Sequence, residues 1–595
     1  MFMKDIKRLF DIIRYQQSKY PLEAAFAAKE PANGVHNWIK YSTADSIAMI
    51  DKVSKALLSH GIKKDDKIAL ISNNRPEWNF MDLGMQQVGA VNVPVYPTIT
   101  ESEYKFIFND AEVRLCFVSD SELYQKVMAI KDEVPTLKEI YTFDEVEGAK
   151  NWKKILSGVS ETDLQEIEKR KMEVSENDLA TIIYTSGTTG TPKGVMLSHK
   201  NLCSNVISVS SVLPIITGTK ALSFLPLCHS FERTVSYVYQ INGVSIYYAE
   251  SIDTIGENLK EVKPSYFTTV PRLLEKVYEK IMEKGNALTG IKRKLFFWAL
   301  DLGSRYELNT DMGVLYRIQL GIARKLIFSK WQEALGGQIK VIVTGAAAMQ
   351  SRLGKIFTAA GIPIVEGYGL TETSPVISTN RLEEENRCIG TVGLPIPGVE
   401  VKIAEDGEIL AKGPNIMMGY YKRQDLTDEV KDADGWFHTG DVGAFVNGKF
   451  LKITDRKKEL FKTSGGKYVA PQPLENKYKE YPLVEQIMII GENRKFVSAL
   501  IVPSFMNLKE WCTKKSLACG SNEEMISHKE VLEDIKAAID RMNKDINHVE
   551  QVKKFKLLPS EWSVDSGELT PTMKLKRKVI MEKYNIHIES LYAEN

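Results

Sequence analysis

The sequence predicts an α/β protein with a large N-terminal domain of helix-covered, mostly parallel sheets and a small α+β C-terminal domain. Its 595 residues favour two or more domains. Apolar, strand-like runs alternate with helix-length segments up to about residue 370, which is typical of parallel sheets. After about residue 390 the pattern changes to hairpin-like segments, which predicts a small β-rich part at the end of the large domain.

Short runs rich in Val, Ile, Phe and Tyr predict the buried strands, because most of them end in turn residues. Parallel strands need crossover connections of helical length, so helices should cover both faces of the sheets. The runs are 67–73, 91–98, 113–120, 180–186, 221–227, 244–250, 265–271, 341–348 and 362–369.

The last third of the chain divides differently. Residues 399–414 predict an antiparallel hairpin around Asp406 and Gly407. The following part has two strand-like runs and a long charged helical stretch of its own, as a separate α+β unit requires. We therefore expect a large domain over 1–455 and a small domain over 456–595.

An almost entirely helical insertion at about 275–335 separates two strand-like segments. It combines aromatic with basic residues, and two interpretations are open. The sequence favours an ordinary helical pair with an aromatic core; the alternative is a basic amphipathic surface that docks on anionic lipid. The residues concerned are Phe296, Phe297, Trp298, Tyr306, Tyr316, Phe328 and Trp331, with Lys292, Arg293, Lys294, Arg317, Arg324, Lys325 and Lys330.

Composition narrows the class of protein. Lys and Arg total 78 against 77 Asp and Glu, a net charge of +1, so we expect no nucleic-acid partner. The six cysteines form no C-x-x-C pair, which predicts free thiols in a reducing compartment. The N-terminus does not read as a signal peptide, and no run approaches the ~18 apolar residues of a membrane span. We expect a cytoplasmic protein, with peripheral membrane contact left open.

The stretch YTSGTTGTPKG at 184–194 follows a strand-like run and predicts a binding loop for a polyphosphate. Glycines let backbone N–H groups approach an anion, and the hydroxyls of Ser186, Thr188 and Thr189 and the charge of Lys193 strengthen the attraction. The spacing does not fit G-x-x-x-x-G-K-[ST], so a common phosphate-loop NTPase is disfavoured. The alternative is a flexible surface loop.

Two later clusters contain groups that suit a nucleotide. In GYGLTETSP at 367–375, Tyr368 offers an aromatic face to a base, and Glu372 offers a carboxylate to Mg²⁺. Asp441 and Arg456, fifteen residues apart, are suited to hydrogen-bonding both hydroxyls of a ribose. The alternatives are a helix cap at Glu372 and a surface salt bridge between Asp441 and Arg456.

Together these motifs resemble the adenylate-forming superfamily of acyl-CoA synthetases, luciferases and peptide-synthetase adenylation domains, in order, in spacing and over nearly the whole chain. Segments 225–233 (LPLCHSFER), 270–281 and 434–475 resemble those of long-chain fatty acyl-CoA synthetases. The resemblance implies that ATP and Mg²⁺ activate a long-chain fatty acid to an acyl-adenylate with release of pyrophosphate. Coenzyme A then takes the acyl group. The resemblance also implies a mobile C-terminal domain with a hinge near 456–458, at Lys458.

The resemblance assigns a role to each matching residue. Lys574, Glu372, Thr185 and His229 are implied in catalysis, with Lys574 as the adenylation lysine and with Glu372 and Thr185 positioning Mg²⁺. The residues implied in binding ATP or coenzyme A are Thr185, Ser186, Thr188, Thr189 and Lys193 at the phosphates, Gly345, Ala346, Ala347, Gly367 and Tyr368 at the adenine, Thr371 at the α-phosphate, Asp441 and Arg456 at the ribose, and Gly465 and Lys467 toward coenzyme A.

Three points stay open at this stage. The family usually has a glycine before the adenylation lysine, where this chain has Met573, and the alternative for Lys574 is a solvated lysine in a basic tail. His229 either acts at the acyl channel and carboxylate or is a structural histidine. Gly243, Val244 and the strand after them are expected to line the acyl tunnel.

Other activities remain alternatives. They are an acyl-AMP ligase that delivers to a carrier-protein pantetheine, a medium-chain or other carboxylate–CoA ligase, a lipid-binding protein with a vestigial ATP site, and luciferase-like oxygenase chemistry. The presence of Lys193, Glu372, Asp441 and Arg456 argues against a decayed ATP site. A homodimer is left open, because the sequence does not indicate an oligomeric state.

Overall fold

Strands and helices alternate through the computed structural model, and the predicted α/β fold with a small α+β C-terminal part is confirmed. The structure describes residues 3–32, 35–157, 163–186, 192–564, 566–570 and 573–593. The helices are α1 Leu9–Lys19, α2 Thr43–Ser59, α3 Pro76–Gln87, α4 Glu101–Ala111, α5 Ser121–Ile130, α6 Asp163–Glu173, α7 His199–Val212, α8 Ser230–Ile241, α9 Ile255–Val262, α10 Pro271–Asn286, α11 Gly290–Ser304, α12 Gly313–Ala323, α13 Ser329–Ala334, α14 Ser351–Ala359, α15 Gln424–Val430, α16 Pro471–Tyr478, α17 Phe505–Lys514, α18 Asn522–Ser527, α19 Lys529–Asn543, α20 Arg577–Lys583 and α21 Asn585–Tyr592.

The strands are β1 Phe26–Ala32, β2 Val35–Tyr41, β3 Lys67–Ile71, β4 Val91–Pro94, β5 Val113–Val118, β6 Glu139–Thr142, β7 Lys150–Asn151, β8 Leu179–Ser186, β9 Pro192–Ser198, β10 Lys220–Ser223, β11 Ser245–Tyr248, β12 Tyr266–Thr269, β13 Val341–Thr344, β14 Ile364–Gly369, β15 Val376–Thr379, β16 Leu394–Pro395, β17 Glu400–Ile403, β18 Glu408–Lys412, β19 Gly419–Tyr420, β20 Phe437–Val446, β21 Phe450–Arg456, β22 Phe461–Lys462, β23 Tyr468–Val469, β24 Val484–Ile490, β25 Val497–Pro503 and β26 Val552–Leu557. Short 3-10 turns lie at Met3–Asp5, Lys131–Glu133, Trp152–Lys154, Thr371–Thr373 and Glu384–Asn386, and a π-helical turn spans Arg324–Phe328.

Two large sheets form the body of the described chain. One has eight strands in the order β19-β9-β8-β4-β3-β5-β6-β7, and the other has nine in the order β16-β15-β14-β13-β12-β10-β11-β1-β2. Their central strands run parallel, whereas β9, β15 and β2 pair antiparallel with their neighbours. Each predicted apolar run contains a strand, because strands buried on both faces need continuous apolar sequence.

Helices α3 and α8 lie between the two sheets, and all twelve residues of each are buried. Helix α3 begins with Pro76, whose missing N–H would have no partner in the first turn anyway. Helix α8 begins after His229, whose ring accepts a hydrogen bond from the backbone of the first turn. These two buried helices therefore set the distance between the sheets.

One buried ion pair links these helices to the eight-stranded sheet. Arg233 on α8 donates to Asp82 on α3 at 2.6 Å (Nη2–Oδ1) and to Thr181 of β8 at 2.9 Å (Nη1–Oγ1). Tyr237 also donates to Asp82, and Asn92 of β4 donates to the same carboxylate at 2.7 Å. Both charged side chains are 1% exposed, so the loss of either partner would leave an unpaired buried charge.

Smaller sheets follow the two large ones. Strands β17-β18-β20-β21 form an antiparallel sheet, and its first hairpin turns at Asp406 and Gly407 as predicted. Strand β21 ends at Arg456, and the next residues form a turn, so the predicted boundary at 455–456 falls on the last residues of a strand. The sheet β24-β25-β26, with helices α16 to α21 packed around it, forms the final part.

The insertion consists of helices α10 to α13, as the sequence predicts, and the π-helical turn joins α12 to α13. Its aromatic residues are part of the core. Phe296, Tyr316, Phe328 and Trp331 are buried, and the remaining aromatic side chains pack against the same cluster. The exposed apolar side chains of the insertion are aliphatic: Ile291, Val314, Leu315, Ile318, Ile322 and Leu326.

Replacement of one partner of the buried pair tests its structural role. Asp82→Asn should lower the free energy of unfolding by about 3–5 kcal/mol, because Arg233 would remain buried without a counter-charge. Thermal unfolding followed by circular dichroism measures the effect. Asp301→Asn is the matched control, since Asp301 pairs with Arg305 on the surface, and its effect should stay within about 0.5 kcal/mol. Equal stability of the two variants would contradict this account.

Candidate active site

The carboxyl ends of parallel strands β13 and β14 bring two of the predicted adenine segments together. A Cβ on Gly345 would lie 3.1 Å from the ring of Phe231 and 3.3 Å from the carbonyl oxygen of Gly367, so the position has little room for a side chain. Ala346 has a φ of +67°, and Ala347 is exposed. A turn in this position, at the carboxyl edge of a parallel sheet, is where α/β proteins bind ligands.

Strand β14 continues into the second motif. A Cβ on Gly369 would lie 1.7 Å from the carbonyl oxygen of Pro375, so only glycine fits this close approach. The ring of Tyr368 is 8% exposed, whereas the sequence predicted an exposed aromatic face. Its O–H donates to Asp441 at 2.7 Å (Oδ2), and burial next to this carboxylate raises the pKa of Tyr368 well above its usual range.

Asp441 and Arg456 lie opposite each other on β20 and β21. The Nε of Arg456 donates to Oδ1 of Asp441 at 3.0 Å, so the two carboxylate oxygens hold the arginine and Tyr368. Asp441 is 4% exposed, whereas the side chain of Arg456 is 41% exposed, so this link between the nine-stranded sheet and the β17–β21 sheet is buried at the carboxylate and open to solvent at the guanidinium. The pair differs from an ordinary surface salt bridge in its buried carboxylate, which also holds Tyr368.

A second link joins Glu372, the predicted Mg²⁺ ligand, to Lys193 of the predicted phosphate loop. The O–H of Tyr420 donates to Oε1 of Glu372 at 2.8 Å, and the Nζ of Lys193 lies 5.1 Å from the centre of the same tyrosine ring. Strand β19, which contains Tyr420, pairs with β9 beside Val195. Burial and the charge of Glu372 raise the pKa of Tyr420. The sequence does not indicate Tyr420, because the residues around it form no recognisable binding or catalytic pattern.

The phosphate loop is described only at its two ends. Thr185 pairs with Lys193 across β8 and β9, so the loop is the connection of an antiparallel pair. Thr188 and Thr189 lie outside the described residues, and of Ser186 only the strand pairing with Pro192 is described.

The N-terminus of helix α8 lies beside the motif at 367–375. The Oγ of Ser230 lies 3.3 Å from Oγ1 of Thr371. The Nδ1 of His229 accepts from the N–H of Phe231 at 3.1 Å, so in the neutral ring the proton lies on Nε2. Burial, and next the charge of Lys574, lower the pKa of His229 to about 4. His229 therefore caps a helix, which fits the structural interpretation, and the effect of the Lys574 charge on its pKa leaves the interpretation at the acyl carboxylate open.

Lys574 lies in the electrostatic field of the same cluster. Burial and the charge of Arg456 lower its pKa to about 8, against the opposing effects of Asp441, Glu459 and Glu372. The alternative of a solvated lysine in a basic tail does not fit these neighbours. The described part of the chain thus brings Lys574, from the C-terminal part, together with the nucleotide motifs of the large sheets.

The backbone at Lys574 explains why glycine suits the preceding position. Met573 has a φ of +62°, in the left-handed region that glycine adopts without cost. The N–H of Thr570 donates to the carbonyl of Lys574 at 2.8 Å, and the N–H of Lys574 donates to Oγ1 of Thr570 at 3.0 Å. These two hydrogen bonds, on either side of Met573, hold the methionine in its strained conformation.

The predicted hinge and coenzyme A residues lie on the surface. Lys458 is exposed in the turn that follows β21, beside Lys457, which pairs with Asp406 at 2.6 Å. Gly465 and Lys467 are exposed in the turn between β22 and β23.

An apolar cavity of about 40 Å³ lies beside the adenine turn. This volume is well below the about 300–1,000 Å³ of typical small-molecule sites, so a long acyl chain would have to widen the cavity. The lining comes from α7, α8 and strands β12 to β15, and does not include Gly243 and Val244, which the sequence analysis expected at the acyl tunnel. The lining residues that matter here are Phe231, Val235, Tyr239, Tyr266, Val343 and Gly367.

A metal would have to be held with few protein ligands. Over the described residues, no three His, Cys, Asp or Glu side chains come together as a metal cluster. Glu372 has one oxygen bonded to Tyr420 and further acceptor capacity. A single carboxylate of this kind fits Mg²⁺, which keeps several waters and binds substrate phosphates.

Fold and site together define an adenylate-forming enzyme, and comparisons with known proteins agree. Residues 14–421 match the AMP-binding enzyme family, and residues 459–595 match the AMP-binding enzyme C-terminal domain. A long-chain-fatty-acid–CoA ligase of Mycobacterium bovis is 33% identical over 93% of this chain and 92% of its own. Long-chain-fatty-acid–CoA ligase 1 of Homo sapiens is 34% identical over 94% of this chain and 83% of its own. The chain belongs to the AMP-binding family of adenylate-forming ligases.

Solved structures show the same fold. The anthranilate CoA ligase AuaEII in complex with anthranoyl-AMP matches with a TM-score of 0.70 at 16% identity, over 99% of this chain and 100% of the other. ATP-bound MatB from Rhodopseudomonas palustris matches with a TM-score of 0.69 at 21% identity, over 97% and 99% of the two chains. At these sequence identities, the two similarities show that the fold is shared.

Two further expectations can be compared with the structure. All six cysteines are free, as predicted. Within the described ranges, no helix has both the length and the apolar character that crossing a bilayer requires.

The Asp441 link leads to a test of nucleotide binding. Asp441→Asn should raise the Kd for AMP about tenfold or more, because a hydrogen bond to a charged group contributes about 1.5–3 kcal/mol. Isothermal titration calorimetry measures the change. Asp425→Asn is the matched control, since Asp425 pairs with Arg423 at the surface. An unchanged Kd in Asp441→Asn would show that the link does not serve the nucleotide.

Proposed function

We propose that this chain is a long-chain fatty acid–CoA ligase that forms an acyl-adenylate and then transfers the acyl group to coenzyme A. The observation that carries the proposal is the apolar cavity, which begins at Gly367 beside the polar cluster of Glu372, Asp441, Arg456 and Lys574. Relatives that are 33% and 34% identical over more than nine tenths of the chain are named long-chain-fatty-acid–CoA ligases, which supports the substrate class.

The apolar lining of the cavity suits an apolar substrate. The lining extends from Gly367, near the carboxyl end of β14, to Tyr266 and Val341 at the amino ends of β12 and β13. A fatty acid would enter with its carboxylate toward Lys574 and its chain along the strands. Each buried methylene contributes about 0.8 kcal/mol, so affinity grows with chain length until the cavity ends.

In the first step, a carboxylate oxygen of the acid attacks the α-phosphorus of ATP. The new O–P bond forms as the bond to the leaving pyrophosphate breaks. The reaction brings two anions together, so positive groups must offset their repulsion. Lys574 and Arg456 supply fixed positive charge on one side, and Lys193 with Thr185 and the rest of the phosphate loop would hold the departing pyrophosphate.

Mg²⁺, when bound by Glu372 and the phosphates, would neutralise charge on the nucleotide. Tyr420 fixes the orientation of Glu372 through its hydrogen bond at 2.8 Å. Asp441 would accept from the ribose hydroxyls beside Arg456, while Gly345, Ala346 and Ala347 line the adenine. Thr371 would donate to the α-phosphate. These residues act chiefly by positioning, which nucleotidyl transfer requires.

In the second step, the sulfur of coenzyme A attacks the acyl carbon and AMP leaves. Lys574 would have to leave before the thiol can reach the acyl carbon, so the C-terminal domain would move between the steps. We place the hinge at Lys458, in the exposed turn between β21 and β22, with domains over 1–455 and 456–595. The exposed turn with Gly465 and Lys467 would then approach coenzyme A.

Exchange between ATP and pyrophosphate across a series of acids tests the substrate class. We expect palmitate and oleate to support much faster exchange than acetate, octanoate or benzoate. Val235→Phe should shift the preference toward shorter acids, because it fills part of the cavity. Exchange with only short or aromatic acids would overturn the proposal.

Free coenzyme A distinguishes the ligase from an enzyme that loads a carrier protein. With palmitate and ATP, the proposal expects coenzyme A to accelerate continuous AMP release and to accumulate palmitoyl-CoA. If the rate of AMP release does not change when coenzyme A is added, delivery to a carrier-protein pantetheine is favoured.

The pKa of Lys574 leads to a pH dependence. Because its pKa is lowered to about 8, the charged amine is present below that pH and is lost as pH rises through it. The kcat/KM of the exchange for ATP, which reports the free enzyme, should therefore fall above about pH 8. Lys574→Arg should move this fall to higher pH, since guanidinium stays charged. The same profile in both proteins would contradict a role for the Lys574 charge.

A further inference from the structure

Helix α12 and the π-helical turn after it expose an unusual amount of apolar surface. Five large aliphatic side chains are between 46% and 69% exposed. Two adjacent ones lie at the start of the helix, and the other three follow at intervals of three or four residues, so all five lie on one side of the helix. We call this surface the α12 face; its residues are Val314, Leu315, Ile318, Ile322 and Leu326. Single exposed apolar residues are ordinary, but five adjacent ones on one helix mark an interaction surface.

The opposite side of the same helix is also apolar. Tyr316, Leu320, Ala323 and Phe328 are buried against α11 and α14 in the core of this part of the molecule. A surface helix normally has an apolar stripe toward the core and polar residues outside. A helix that is apolar on both sides is suited to burial on both sides, so the α12 face lacks the environment that its residues favour.

Charge indicates what would cover the face. Residues 313–330 contain Arg317, Arg324, Lys325 and Lys330 and no Asp or Glu. The side chains of Lys325 and Lys330 are exposed, and Arg317 is exposed with only a long contact, 3.8 Å, to Asp311. An apolar surface bordered by basic side chains matches the boundary between the acyl chains and the headgroups of an anionic lipid layer.

We propose that the α12 face docks on an anionic membrane surface, with the aliphatic side chains in the acyl–headgroup boundary and the basic side chains at the headgroups. A second copy of the chain fits less well. A two-fold contact would place each face against itself and so bring Lys325 and Lys330 toward the same charges of the partner. The proposal does not depend on the proposed function, because none of these residues belongs to the nucleotide or acyl site.

Sedimentation with lipid vesicles tests the proposal. The full chain is mixed with vesicles of phosphatidylcholine alone or of phosphatidylcholine with phosphatidylglycerol. We expect binding to the anionic vesicles, and at least about tenfold weaker binding by the double variant Ile318→Ser, Ile322→Ser, which loses buried aliphatic groups. Ile586→Ser is the matched control, since Ile586 is 85% exposed in α21.

A second variant separates the two parts of the surface. Lys325→Gln with Lys330→Gln should lower binding to anionic vesicles and leave the weaker binding to neutral vesicles unchanged. Pyrophosphate exchange with a soluble acid should remain at the level of the unaltered protein in all variants, which shows that they are folded.

Three outcomes would overturn the proposal. One is equal vesicle binding by the double variant and the Ile586→Ser control. Another is the absence of binding to anionic vesicles by the unaltered chain. The third is self-association in analytical ultracentrifugation that the double variant abolishes without any vesicle binding, since a second copy would then cover the face.

Discussion

The pair of Arg233 and Asp82 is the constraint on which the site depends. Arg233 lies one turn from His229 at the start of α8, and it also donates to Thr181, four residues before Thr185 at the end of β8. The same buried contacts therefore fix both the helix that faces Lys574 and the strand that leads into the phosphate loop. In other proteins, a buried ion pair can often be replaced by apolar residues without loss of stability. The contribution of this pair is therefore to fix the position of helix α8 relative to strand β8.

Two hydrogen-bonded links then connect pieces that are distant in sequence. Asp441 joins Tyr368 to Arg456, and Tyr420 joins Glu372 to the region of Lys193. Each link pairs a carboxylate with a tyrosine, which orients the carboxylate without neutralising it. Lys574 approaches this partly buried group of charges, and the resulting desolvation explains its lowered pKa. Neither of the two hydrogen-bonded links involves Lys574.

The sequence predicted the parts of the fold and site that local pattern controls. Apolar runs located the central parallel strands, and the Gly-rich motifs located the turns at their ends. The hairpin β1–β2 was missed, because its first strand contains Lys29, Glu30 and Pro31 and it lies at a sheet edge, where polar residues are tolerated. Tyr420 and the cavity lining were missed because they depend on contacts between segments far apart in the chain. In the insertion, the sequence favoured an aromatic core, with a basic amphipathic surface as the alternative, and packing decided which apolar residues face outward: the aromatic side chains are inside and the aliphatic ones outside.

The central claim is that one site performs two steps and that Lys574 serves only the first. The most direct measurement compares both half-reactions in Lys574→Ala. Exchange of pyrophosphate with ATP and palmitate should fall by about a hundredfold or more, the usual effect of removing one charge-stabilising group. Formation of palmitoyl-CoA from synthetic palmitoyl-adenylate and coenzyme A should stay close to the rate of the unaltered enzyme. Equal loss of both half-reactions would contradict the claim.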